Sequence, residues 1–209
     1  SETAGNGWKN NNGWDSSTDY CNSFHGIECD GAGRVTAIDL SNNNLKGTIP
    51  TSVFKLKFLR ELILSGNPVG FSFEGIREAE NLINMHLDKT NLDSVNGIGD
   101  SVNIQNLNLA NNNLHGTIPL DLYLMSSLKK LDLGYNHFSG RLNNMIGAMT
   151  SLESLHLYHN QFTGRIPAAI GDLVNLRELN LAENNFDGTI PAQLNDLTNL
   201  QFLSIQREG

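Results

Sequence analysis

"LNLANNNLHGTIP" occupies Leu107–Pro119 and "IDLSNNNLKGTIP" occupies Ile38–Pro50, so nearly the same string recurs 69 positions apart. One reading is a loop copied for a single chemical task. The other is a structural period that runs through the whole chain, and the intervening sequence decides for the period. On the pattern L-x-L-x-x-N-x-L-x-G-x-I-P, "LILSGNPVGFSFE" (62–74), "LDLGYNHFSGRLN" (131–143), "LHLYHNQFTGRIP" (155–167) and "LNLAENNFDGTIP" (179–191) fall into register. A weaker copy, "MHLDKTNLDS" (85–94), fills the gap, and "LSIQREG" (203–209) begins an eighth unit. The Asn column reads Asn43, Asn67, Asn112, Asn136, Asn160 and Asn184, with Thr90 standing in once, at successive spacings of 24, 23, 22, 24, 24 and 24. A fixed period of this size marks a stacked array of short units.

The pattern also says what each unit is. Its apolar spacing fits neither a sustained helix nor a long alternating strand. A Gly and a Pro in the fuller copies (Gly47 and Pro50, Gly116 and Pro119, Gly164 and Pro167, Gly188 and Pro191) would break any helix spanning them. What remains is a short strand at L-x-L followed by a turn. Stacked units line these strands into a parallel sheet and bury leucine against leucine, because one unit alone cannot bury its apolar face. Just after the strand the chain turns inward, leaving backbone N–H and C=O groups buried. A carboxamide donates and accepts at once, so the Asn column is structural, satisfying groups that would cost about 1–3 kcal/mol each if unpaired. Thr90 has a shorter arm and a single donor, so the ladder is expected to be weakest there.

Four units match in full the consensus L-x-x-L-x-L-x-x-N-x-L-x-G-x-I-P of plant-type leucine-rich-repeat proteins, which the chain resembles over roughly residues 1–205. The resemblance implies an α/β solenoid: a right-handed superhelix with a parallel concave sheet, short 3-10 or helical convex turns, and a second short strand on the flank at L-x-G-x-I-P. It divides the chain into an N-terminal capping region (1–33), about seven repeats (34–199) and an incomplete eighth repeat or C-terminal end (200–209). Phe71, Phe73 and Glu74 replace Gly, Ile and Pro in the second unit. That departure puts the flank strand in question there and suggests a helical turn over "FEGIREAEN" (73–81) instead, with Phe71 and Phe73 filling core.

Composition narrows the function. The formal charge is −8, with no run of Lys or Arg, so nucleic acid is not an expected partner. No stretch approaches the roughly 18 apolar residues of a membrane helix, and the chain does not open on a Lys/Arg-plus-apolar segment, so any secretion signal is expected to have been removed. Residues 1–33 differ in composition from the repeats. The first coil of a solenoid exposes an apolar end, which Trp8, Trp14, Phe24 and Ile27 can cover. A bond between Cys21 and Cys29, the only cysteines, would pin that cover and add about 2–3 kcal/mol. The alternatives are two reduced thiols or half a metal site, for which further Cys or His ligands at the usual spacing are lacking. "CNSFHGIEC" (21–29) is similar to the extracellular cap of the same family, and the "GNGW…GW" lead-in resembles caps of algal members.

The family's ligands bind the concave face, which the resemblance carries onto the columns flanking the strand leucines. Strands lie about 4.8 Å apart, so Asp132, Tyr135, His156, Tyr158 and His159 are expected to form one patch, with Glu183, His86 and Asp88 as further binding candidates. Tyr is a common anchor of binding hot spots. A metal site at "HLYH" (156–159) beside Asp132 is the lesser reading, because separated strand side chains rarely converge. Enzyme signatures such as G-x-S-x-G, H-E-x-x-H or a phosphate-cradling G-x-x-x-x-G-K are missing. The reading is therefore a non-catalytic extracellular recognition module, without cofactor or resident metal and more readily monomeric than obligately oligomeric. It binds a protein or peptide as a receptor ectodomain, adhesion or inhibitor protein. The alternative is a carbohydrate-, ice- or cell-wall-binding structural protein, which regular rows of one residue type would favour; the rows here are mixed.

Overall fold

The computed structural model describes residues 7–14, 19–101 and 103–206. Residues 1–6 and 15–18 of the capping region, and 207–209 of the final incomplete unit, lie outside the described residues. The first two residues of each L-x-L segment lie in a short strand, five residues long in the first coil and three in the others. Val35–Asp39, Glu61–Ile63, Asn84–His86, Asn106–Asn108, Lys130–Asp132, Ser154–His156, Glu178–Asn180 and Phe202–Ser204 pair in chain order, all parallel. The register is unbroken, with Ile38, Leu62, Met85, Leu107, Leu131, Leu155, Leu179 and Leu203 side by side. Their side chains point inward, and Leu155 and Leu179 are fully buried. Leu203, with no coil beyond it among the described residues, is 44% exposed; burial comes from the neighbouring coil and not from the unit itself.

The opposite side of each coil is a 3-10 turn: Thr51–Lys55, Ile76–Glu78, Ile98–Asp100, Leu122–Leu124, Asn144–Ala148, Ala168–Asp172 and Ala192–Asp196. Entry into these turns follows local chemistry. Pro50, Pro167 and Pro191 stand just before three of them with φ near −65° to −69°, where a missing N–H costs nothing. Asn143 instead accepts from Met145 N at 2.9 Å, a side-chain cap. In the two irregular units Gly75 and Gly97 occupy that place at φ +81° and +84°, a left-handed entry that only glycine makes cheaply.

The flank carries two short sheets. Gly47–Thr48 pairs with Val69–Gly70, and His115–Gly116, His137–Arg141, Gln161–Gly164 and Asn185–Phe186 form a four-stranded one. The second unit therefore makes a flank strand despite losing its Gly, Ile and Pro, and also forms the 3-10 turn within its "FEGIREAEN" segment. The strand survives because its pairing uses backbone at Val69 and Gly70, ahead of the altered residues. Phe73 is buried and Phe71 packs against the core. Among the described residues the third unit has no flank strand, and the two flank sheets are separated there.

The Asn side chains lie inside. Asn67 Oδ1 accepts from the backbone N–H of Asn43 and Leu45 in the preceding coil, both at 2.9 Å. Its Nδ2 donates to Leu40 O of that coil and Leu64 O of its own, both at 2.8 Å. Asn112 repeats the arrangement, while Asn136, Asn160 and Asn184 keep the donation to both carbonyls and accept one backbone N–H of the preceding coil, from Leu114, Phe138 and Phe162. Asn43 extends it into the cap, accepting from Asn10 N and donating to Asn10 O. At Thr90 the ladder stops: its hydroxyl bonds Leu87 O and Asn112 Oδ1, and among the described residues it makes no hydrogen bond to the second coil. Val69 N, which an Asn Oδ1 would have engaged, turns to Asn67 O. Thr90→Asn should restore the rung and raise stability by about 1 kcal/mol, the net yield of a made hydrogen bond. Urea unfolding reads this as a higher midpoint at unchanged slope, and a destabilised variant would count against the geometry.

The cap joins the sheet through Ile27–Cys29, antiparallel to Val35–Asp39, and Cys21 is bonded to Cys29. Trp8 and Trp14 pack edge to face at 5.1 Å and Trp14 meets Phe24 at 4.9 Å. Trp8, Trp14 and Ile27 rest on the first coil's core, while Phe24 reaches it through Trp14.

Candidate functional site

Strand residues on either side of each inward leucine point out of the concave face, since alternate side chains share a face. In the fifth to seventh coils this places three rows side by side: Lys130, Ser154 and Glu178; Asp132, His156 and Asn180; and, one step further out, Gly134, Tyr158 and Ala182. The next residue in each coil, just before the ladder Asn, must swing the chain inward. It does so in the left-handed region: φ is +51° at Tyr135, +51° at His159 and +55° at Glu183. The first, second and fourth coils hold Asn42, Gly66 and Asn111 there, types that enter this region most readily. Tyr, His and Glu are more strained, at about 1–2 kcal/mol each.

Those three strained side chains meet one another. The Tyr135 and His159 rings stack at 4.0 Å and 20°, and His159 Nε2 is paired with the Glu183 carboxylate. Tyr158 approaches Tyr135 edge-on at 5.2 Å. It lies across Gly134, where an added Cβ would come within 2.3 Å of the Tyr158 ring; any side chain there would lift the ring off the sheet. Below it sits His156, whose Nδ1 is 3.6 Å from Asp132 Oδ2 and whose Nε2 is 3.4 Å from Glu178 Oε2. The Asp132 carboxylate facing its Nδ1 holds the imidazole above its ordinary pKa against the opposing effect of partial burial. Burial, with the Asp132 charge nearby, also raises the Tyr158 phenol.

Asp132, Tyr135, His156, Tyr158, His159 and Glu183 thus form one contiguous surface. His86 and Asp88 do not join it: Asn108 stands in register between His86 and Asp132, and Asp88 is occupied by Ser65 Oγ and Asn108 Nδ2. Two participants escaped the sequence reading, Ser154 and Glu178. Strand alternation was the available signal, because Ser154 lies two residues before His156 and Glu178 is its register partner. Ser154 Oγ stands 3.4 Å from His156 Nε2, so Ser154, His156 and Asp132 superficially suggest a nucleophilic triad. The hydroxyl donates instead to Glu178 Oε2 at 2.9 Å, and Ser154 N is bonded to Lys129 O. The array is suited to binding and not to acyl transfer, which needs an activated hydroxyl and free oxyanion donors. Among the described residues no three His, Cys, Asp or Glu side chains are set to hold a metal ion, and no helix is long and apolar enough to cross a membrane.

Parallel strands repeating every two dozen residues, a buried Asn ladder and a disulfide-pinned cap define the leucine-rich-repeat class. Family models agree: "Leucine Rich Repeat" matches residues 34–56, 103–125 and 127–149, and "Leucine Rich repeats (2 copies)" matches 150–192, together just over half of the chain. The chain belongs to the leucine-rich-repeat family, in its plant-type extracellular form. It is similar to the receptor protein-tyrosine kinase CEPR1 of Arabidopsis thaliana, 35% identical over 119 residues, which cover 56% of this chain and 10% of that protein. The ectodomain of the Arabidopsis receptor kinase HAESA, solved with an extended IDA peptide hormone ligand, superimposes with a TM-score of 0.82 at 31% identity, over 90% of this chain and 32% of that one. A plant ice-binding protein shares the fold alone, with a TM-score of 0.71 at 22% identity over 94% of this chain and 80% of that one. The chain spans at most a tenth of the length of the plant receptor kinases it matches.

Proposed function

We propose that this chain is a non-catalytic extracellular recognition module that binds a protein or peptide on its concave face, centred on Asp132, Tyr135, His156, Tyr158, His159 and Glu183. The supporting observation is the cluster itself. Two tyrosines and two histidines gather over two adjacent coils, with strained backbone at Tyr135 and His159, although an Asn at those positions would serve the fold at lower cost. Tyr135 is 46% exposed, so its ring is offered to a partner. The peptide-bound HAESA ectodomain lends support by likeness, and the disulfide is in keeping with an oxidising compartment. Receptor ectodomain, adhesion and inhibitor roles all use such a face. The carbohydrate-, ice- or wall-binding alternative draws no support from the mixed residues of the concave rows.

A random peptide library displayed on phage and selected against the immobilised chain tests this. Peptides recovered on the wild type should lose at least tenfold in affinity for Tyr135→Asn combined with Tyr158→Ala, since truncated hot-spot residues cost about 2 kcal/mol or more. Asn tolerates the left-handed backbone at position 135, so the variant should fold normally. Binders indifferent to that pair but sensitive to Arg141→Ala with Arg165→Ala, on the flank, would move the interface off the concave face.

A further inference from the structure

We infer that Asp132 and Glu178 form a subsite for a positively charged side chain of the ligand, a guanidinium or an ammonium, and that protonated His156 occupies it in the ligand's absence. The inference rests on the concave-face reading and adds the chemistry of one contact to it. An imidazole presents two N–H donors only as the imidazolium; when neutral, one ring nitrogen is a lone pair. His156 faces a carboxylate at each nitrogen, Asp132 at 3.6 Å and Glu178 at 3.4 Å. Only the charged ring satisfies both. Once the ring is neutral, one carboxylate is left against a lone pair, and a ligand cation can take the vacated charge.

The surroundings favour a cation from outside. Just before the strands of His156 and Glu178, Glu153 and Arg177 are paired with each other, and Glu183 is taken by His159. Lys130, exposed in the row of Ser154 and Glu178, makes no ion pair with Asp132 or Glu178 among the described residues. Ser154 donates its hydroxyl to Glu178 and so orients that carboxylate without neutralising it. Tyr158, held flat over Gly134 with its ring centroid 6.1 Å from that of His156, offers an aromatic face beside the charge. Guanidinium and ammonium groups favour such faces. Carboxylates on two strands beside an aromatic ring match the planar fork of an arginine best.

Proton and ligand then compete for one site, so ligand affinity rises as pH climbs through the pKa of His156 and levels off above it. By the same linkage the ligand lowers that pKa. The Asp132 carboxylate raises the pKa of the imidazole, which moves the transition to higher pH than that of a free histidine.

N-acetyl-L-arginine amide, at millimolar concentration, is the direct probe, with N-acetyl-L-citrulline amide as its uncharged analogue. The readout is the ring C–H NMR signals of His156, distinguished from those of His159 by a His159→Asn variant. The arginine compound should shift the His156 signals, bind at least tenfold more tightly at pH 8 than at pH 5.5, and lower the ring's titration midpoint; the citrulline compound should do none of these. Asp132→Asn should abolish the effect. His156→Gln should retain arginine binding, read on backbone amides, with a flat pH profile. Equal binding of citrulline, pH-independent binding to the wild type, or no binding of arginine at any pH would overturn the subsite. If library peptides still depend on Tyr135 and Tyr158 in that event, the concave-face reading survives without it.

Discussion

Asn67→Ala should destabilise this chain by about 3–6 kcal/mol, far more than the loss of a small polar side chain suggests. Asn67 is fully buried, and its carboxamide is the partner of Asn43 N, Leu45 N and Leu40 O in the coil before it. Removing it leaves two donors and an acceptor in a dry interior, at about 1–3 kcal/mol for each group left unpaired. Asn67→Asp should be no better, because it keeps the acceptor, loses the donor and brings a charge inside. The contrast is Asn108→Ala, which touches a half-exposed side chain on the concave face bonded to Asp88 and should cost under about 1 kcal/mol. Urea unfolding followed by circular dichroism measures all three. An Asn67→Ala midpoint within experimental error of the wild type would mean the carboxamides do not hold the coils together.

Phe162→Ala should cost about 3–5 kcal/mol, the range for emptying a buried aromatic site. Phe138, Phe162 and Phe186 occupy the column that carries Leu45 and Leu114 in earlier coils, and their rings stack at 6.2 Å and 6.0 Å within 10° of parallel. Phe162 is the middle ring, 1% exposed, so its removal opens a void between two rigid neighbours that cannot close upon it. Phe162→Leu should lose less, roughly 1–1.5 kcal/mol, since leucine already serves that column elsewhere. Thermal melts that rank the leucine variant below the alanine variant would contradict this account of the spine.

Much of this architecture was legible because a solenoid translates sequence position into spatial position almost directly. A residue 24 places further on sits one strand over, so Asp132, His156 and Asn180 could be set side by side before any coordinates. The inward Asn column and its weak point at Thr90 followed from hydrogen-bond arithmetic alone. The survival of a flank strand in the second unit did not, because a two-residue backbone pairing leaves almost no mark on side-chain pattern. Nor did the left-handed entry at Gly75 and Gly97, which replaces the missing Pro in the units that look degenerate.

The site divides the same way. Column positions placed the tyrosines, histidines and Asp132 together but said nothing of how their side chains would lie. Tyr158 folds over Gly134 only because the neighbouring coil has no Cβ there, and Ser154 and Glu178 join His156 through rotamers that three coils select together. By itself the sequence determined the period, the buried leucines, the structural asparagines and which residues share a face, since these depend on local spacing and on the need to bury or satisfy each group. The tertiary structure alone decided which facing side chains touch. Contacts between coils depend on angles and distances of an ångström or less, set by the packing of neighbours distant in the chain, and no local pattern encodes them.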